Sequence, residues 1–132
     1  MRHNESNLQK ACVTWFNLQY PQYYGLLFSS LNGLHTSSVQ ARMAKAEGMV
    51  AGVADLQFAR ARHGYHGLFI ELKDGKAGKQ SDAQKEWQKK VERQGYCYVV
   101  VRDIESFMNV INDYLMEGSE DDDITNIILQ WK

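Results

Sequence analysis

The chain reads as an α/β domain with one mixed central β-sheet flanked by helices, in the order α-β-α-β-β-α-β-α. Two observations predict it. Segments of helical period alternate with short apolar segments of strand length. One of these, Tyr96-Cys97-Tyr98-Val99-Val100-Val101, is apolar throughout, as a strand covered by helices on both faces must be. The size agrees: 132 residues, 44% of them hydrophobic and 23% charged, supply one core and little for a second.

Leu8, Cys12, Trp15 and Phe16 recur at helical spacing behind Asn4 or Ser6 as a cap, predicting a helix over 5–20 that Pro21 stops. Gly25 to Leu31 is a short apolar strand ended by Asn32-Gly33. Ser37 or Ser38 caps a helix running to Glu47, with Gly48 in the terminating position. Leu56 to Ala59 and Leu68 to Lys73 form two strands of a hairpin, with Gly64 and Gly67 in the connection. Ser81 and Gln84 make a capping box, Trp87 and Val91 share the apolar face of the helix that follows, and Gly95 closes it. The buried strand 96–101 comes next, and Ile104 to Met116 is an amphipathic helix. Residues 1–116 are thus expected to hold the domain. Residues 117–132 are expected to be an acidic flexible segment followed by an apolar tail, Ile124 to Trp131.

No apolar run approaches the ~18 residues of a membrane span, and the polar start Met1-Arg2-His3-Asn4-Glu5 lacks a signal-peptide pattern, so a cytoplasmic protein is expected. Cys12 and Cys97 lie among apolar neighbours and read as buried thiols, Trp15 and Trp87 as core. The net charge of −1 conceals an asymmetry. Arg42 to Arg93 holds eleven Lys/Arg against seven Asp/Glu, while Asp103 to Asp123 holds eight acids and no base. Without that acidic stretch the chain stands at +7, a balance suited to a polyanionic partner and equally to a solvated surface.

The chemistry centres on Asp55 and on Glu71-Leu72-Lys73. If the two hairpin strands pair about a turn centred on His63, Asp55 lies opposite Glu71, and Phe69, Glu71 and Lys73 share one face. Two opposed carboxylates repel unless a hard divalent cation neutralises them. The plain alternative makes Asp55 a turn residue and Glu71/Lys73 a solvated stripe. Lys76 and Lys79 follow in a glycine-containing connection, and Lys85, Lys89, Lys90 and Arg93 decorate the next helix; all could grip phosphates or simply confer solubility. His63 and His66, near the hairpin tip, read as exposed or DNA-facing.

An Asp, a hairpin, Glu-X-Lys on its second strand, then a helix and a further strand resemble the PD-(D/E)XK nuclease superfamily. The ordered set of Glu5, Asn32-Gly33, Glu47-Gly48, Gly52-Val53-Ala54-Asp55-Leu56, Glu71-Leu72-Lys73, Ser81 with Gln84 and Trp87, Gly95 and a Val-rich strand ending in Arg102 is similar to the VRR-NUC family, particularly its short stand-alone phage and bacterial members. The similarity spans residues 5 to about 115. One departure is Ala54, where family members often carry Pro; Pro would stiffen the backbone without adding a ligand.

The resemblance implies a restriction-endonuclease-like core and a metal-dependent DNA endonuclease. Asp55, Glu71 and the Leu72 carbonyl would bind Mg²⁺ or Mn²⁺, with Glu5 reaching in from the first helix directly or through a water. The metal would lower the pKa of a bound water, and Lys73 would orient that water or stabilise the transition state. Gln84 would help position the centre. Small members also resemble junction resolvases, implying branched DNA as substrate and a homodimer with two symmetric sites. A nickase or flap nuclease is the alternative among enzymes, and a non-catalytic DNA-binding subunit the alternative outside them.

Overall fold

The computed structural model describes residues 2–30 and 37–116. The Asn32-Gly33 turn, the acidic segment and the apolar tail lie outside the described residues. Eight elements follow the expected order: α1 (Arg2–Gln19), β1 (Leu27–Ser29), α2 (Ser38–Ala46), β2 (Leu56–Phe58), β3 (Leu68–Leu72), α3 (Asp82–Arg93), β4 (Cys97–Val101) and α4 (Ile104–Leu115). The strands form one sheet in the order β1-β2-β3-β4. The first three are antiparallel, and β4 joins β3 in parallel through the α3 crossover. Restriction-endonuclease-like folds have this mixed character.

α1 begins three residues earlier than the sequence reading, so Asn4 and Ser6 lie inside it rather than capping it. Pro21 ends it and also opens a 3-10 turn, Pro21–Tyr23, because its fixed φ suits the first position of a helical turn. Ser37 caps α2 by accepting from Gln40 N–H. Ser81 and Gln84 form the full capping box of α3. Asp103, which the sequence reading passed over, caps α4 through Ser106 N–H at 2.7 Å.

Alternation along the strands divides the core. On one face Leu56, Phe58, Leu68, Ile70, Leu72, Cys97, Val99 and Val101 pack with Cys12 and Phe16 of α1 and Phe107, Ile111 and Tyr114 of α4. Phe16 meets Phe58 edge to face at 5.2 Å between ring centroids. On the other face Ala54, Phe69 and Tyr98 pack under Trp87 and Val91 of α3. Trp15 and Trp87 are core-facing, and Cys12 and Cys97 are free and buried. Burial pushes the Cys12 thiol up to about 12, which makes it inert. β3 is buried along its whole length. A glutamate on it therefore either meets a designed set of partners or carries a large desolvation cost. Among the described residues no helix is long and apolar enough to cross a membrane.

Candidate active site

The hairpin register is Leu56↔Ile70, Gln57↔Phe69 and Phe58↔Leu68. Extending it by one residue sets Asp55 against Glu71, as the turn arithmetic predicted. Asp55 is anchored by its own strand partner, since Leu72 N–H donates to Asp55 Oδ2 at 2.7 Å. Ser30 N–H donates to the Asp55 carbonyl at 3.1 Å, so β1 also holds this residue in place.

Glu71 and Lys73 are not a solvated stripe: they are 1% and 8% exposed. Their face of β3 lies beneath the N-terminal end of α3, and Gln84 from its first turn joins them. Gln84 Nε2 donates to Glu71 Oε2 at 2.7 Å, while Gln84 Oε1 accepts from Lys73 Nζ and from Ser81 N–H, each at 2.8 Å. The cap and the site therefore share one amide. The capping contact sets the rotamer, and that rotamer leaves Nε2 pointing at Glu71. Lys73 Nζ lies 3.6 Å from Glu71 Oε2.

Burial, then the charge of Asp55, push the Glu71 carboxyl up to about 8, against the opposing pull of Lys73. Glu71 Oε1 is buried and has no hydrogen-bond partner. Tyr98, on β4, is 1% exposed and lies beside Glu71; its phenol pKa is raised by burial and by the Glu71 charge. Gln80 Nε2 donates to the Tyr98 hydroxyl at 3.3 Å and to Gln88 Oε1 at 2.9 Å. The sequence reading passed over Tyr98 and Gln80, because a tyrosine in an apolar strand and a glutamine in a loop carry no signal until α3 is laid across the sheet.

Asp55, Glu71, Lys73 and Gln84 are thus brought together with the Leu72 backbone. Glu5 is half-buried in the first turn of α1. That turn is tied to the chain just past β3 by Asn4 Nδ2 donating to Asp74 Oδ2 at 3.2 Å. No group of three His, Cys, Asp or Glu side chains able to hold a metal occurs among the described residues, so Glu5 is not united with Asp55 and Glu71 in one acidic set. Lys76 and Lys79 are exposed on the loop after β3, and Lys85 and Lys89 are exposed one turn apart on α3. His63 is occupied elsewhere: its Nε2 lies 2.8 Å from the Tyr114 carbonyl at the end of α4. His66 is exposed and sits against the Tyr96 ring.

A mixed sheet with helices on both faces, and paired carboxylates and a lysine meeting at one end of it, define a nuclease-type α/β fold. A solved structure described as a "VRR_NUC domain protein" matches with a TM-score of 0.72 and 30% sequence identity, over 89% of this chain and 93% of that one. The chain belongs to the VRR-NUC family. No family model matches the sequence, and no curated protein does.

Proposed function

We propose that this protein is a divalent-cation-dependent DNA endonuclease that cuts phosphodiester bonds in branched DNA and works as a homodimer. The observation that carries the reading is the buried Glu71–Lys73 pair joined through Gln84, with half-buried Asp55 held opposite Glu71 by Leu72 N–H. Its donor set suits a hard cation. Half-buried Asp55 faces buried Glu71, and Glu71 Oε1 is a buried oxygen with no hydrogen-bond partner among the described residues. Asp55, Glu71 and the Leu72 carbonyl would hold Mg²⁺ or Mn²⁺. When bound, the cation would supply Lewis acidity toward the scissile phosphate and would favour the ionised form of Glu71, whose proton burial and Asp55 otherwise hold.

The chain's own residues do the rest. Leu72 N–H keeps Asp55 turned toward Glu71, and Gln84 holds the Glu71 carboxylate and the Lys73 ammonium in fixed relation. Lys73 spends one donor on Gln84 and keeps others for a phosphate oxygen, where its charge stabilises the transition state. Around this centre Lys76, Lys79, Lys85 and Lys89 offer exposed ammonium groups to the DNA backbone.

The homodimer reading is supported by the β1 edge of the sheet, which has no further strand paired to it among the described residues. β1 pairs on one side with β2, and Tyr24, Leu26 and Phe28 beside or on it are exposed. A second copy could cover such an edge reciprocally. The test is to incubate the protein with labelled four-way junction, flap and linear duplex, with Mg²⁺ or with EDTA. Paired cuts in the junction that EDTA abolishes are expected. No cleavage of any of the three in either Mg²⁺ or Mn²⁺ would overturn the proposal.

A further inference from the structure

Arg102 follows β4 directly and touches none of the paired carboxylates. Its Nη1 donates to two backbone carbonyls of the connection between β3 and α3, Gly75 O at 2.7 Å and Gly78 O at 2.5 Å. One guanidinium nitrogen therefore closes the loop 74–78 against the end of β4. Both acceptors are glycines, and Gly75 has a φ of +58° that other residues rarely adopt. At Gly78 an added Cβ would stand 3.2 Å from Lys73 Cβ and 3.3 Å from Asp74 N, so the loop folds back directly onto the stem of Lys73. That loop carries Lys76, and Lys79 follows it directly. Both are exposed, and neither has a salt-bridge partner among the described residues.

We propose that Arg102 is a positioning residue for DNA. Its clamp holds the 74–78 loop in the one shape that presents Lys76, and Lys79 just after it, to phosphate beside Lys73. The alternative use of an arginine here, gripping phosphate itself, would leave the two carbonyls without their charged donor. Hydrogen bonds from a charged donor are the strong kind, and two of them on the nine-residue connection 73–81 determine its order. Lysine ammonium groups on a disordered loop would lose entropy on binding that a clamped loop has already lost. The inference rests on the reading of the protein as a DNA nuclease for its consequence, but not for the clamp.

The experiment therefore has two arms. In hydrogen exchange on the free protein, Arg102→Met should raise exchange of the amides of residues 74–79 by about tenfold or more, with the amides of β3 and β4 unchanged. In DNA binding by anisotropy in EDTA, Arg102→Met should weaken the Kd for junction DNA by about tenfold, as should the Lys76→Ala/Lys79→Ala double variant. Adding Arg102→Met to that double variant should weaken binding no further. Arg102→Gln, too short to reach both carbonyls, must reproduce this pattern if the Met variant does not fold. Unchanged exchange in 74–79 would overturn the clamp, and additive losses in the combined variant would show that Arg102 contacts DNA directly. If the wild-type protein binds no DNA, the nuclease reading fails while the exchange arm still decides the clamp.

Discussion

Glu71 is the residue on which the chemistry and the cost of the site meet. Its carboxyl is held near 8 rather than the ordinary 4.5, first by burial and then by Asp55. Between those two values the folded protein keeps a proton that the unfolded chain has lost, so stability falls as pH rises through that interval. Glu71→Gln cannot titrate and keeps an acceptor for Gln84. In the absence of divalent cations its melting temperature should therefore be flat across the interval and exceed wild type by roughly 5 °C or more above pH 8. Added Mg²⁺ should raise the wild-type melting temperature by mass action and leave Glu71→Gln unmoved. Scanning calorimetry in EDTA and in Mg²⁺ at several pH values checks both. The same substitution, and Asp55→Asn, should abolish cleavage while leaving DNA affinity intact or higher, because neither adds negative charge beside phosphate and Asp55→Asn removes one. Cleavage by Asp55→Asn at the wild-type rate would sink the site assignment. Lys73→Ala should lower the cleavage rate by about 10² or more, the usual consequence of losing one preorganised transition-state donor.

At the scale of elements, the site depends on how the segment before β2 meets the first turn of α3, and Gly52 is the point of contact. Its φ is +87°, and a Cβ there would stand 2.4 Å from the Ala83 carbonyl oxygen and 2.9 Å from Gln84 N. No flexible side chain can yield, because the neighbours are backbone. Gly52→Ala should push Asp55 and Gln84 apart, lowering stability by about 3 kcal/mol or more and cleavage with it. Gly64→Ala, at a φ of +81° but with nothing within 4 Å, should cost only about 1–2 kcal/mol and spare activity. Equal losses from the two would mean that left-handed backbone strain, rather than the packing of α3, sets the effect at Gly52. What could be read from sequence follows the same division. The hairpin register was legible because a turn about His63 leaves one pairing that buries Leu68, Ile70 and Leu72 together. The α3 capping box was legible because both of its partners lie within four residues. The burial of Glu71 and Lys73, the Tyr98–Gln80 contact and the Arg102 clamp were not, since each exists only after α3 crosses back over the sheet. His63 was misread for the same reason: the carbonyl it faces belongs to α4, 51 positions away.

For the whole molecule, the distribution of charge has a direction. The candidate site lies at the C-terminal end of β3, where Lys73, Lys76 and Lys79 gather. The described chain ends at the other end of the sheet, where Arg62 Nη2 donates to the carbonyls of Leu115 at 3.3 Å and Met116 at 2.8 Å. Arg62 belongs to the β2–β3 connection, and β3 with Lys73 spans roughly 17 Å between that connection and the site at ~3.3 Å per residue. Met116 thus lies away from the basic face. The four acids after Gly118, Glu120 and Asp121 to Asp123, would compete with phosphate if they reached that face and would lower the salt concentration at which DNA is released, whereas charges more than a Debye length away, about 8–10 Å in ordinary buffers, are largely screened from it. Deleting everything after Gly118 is therefore expected to leave the slope of log K against log salt unchanged, measured by anisotropy on junction DNA between roughly 50 and 200 mM salt. A steeper slope in the truncated protein would mean that the tail occupies phosphate contacts in the full chain. The same deletion removes Ile124, Ile127, Ile128, Leu129 and Trp131, so its sedimentation equilibrium separates two sources of a dimer. If the truncated protein remains dimeric, the interface lies on the folded domain, for which the β1 edge is available. A 15.2 kDa full-length species that still makes paired cuts in a four-way junction would defeat the dimer and leave every assignment at Asp55, Glu71 and Lys73 standing.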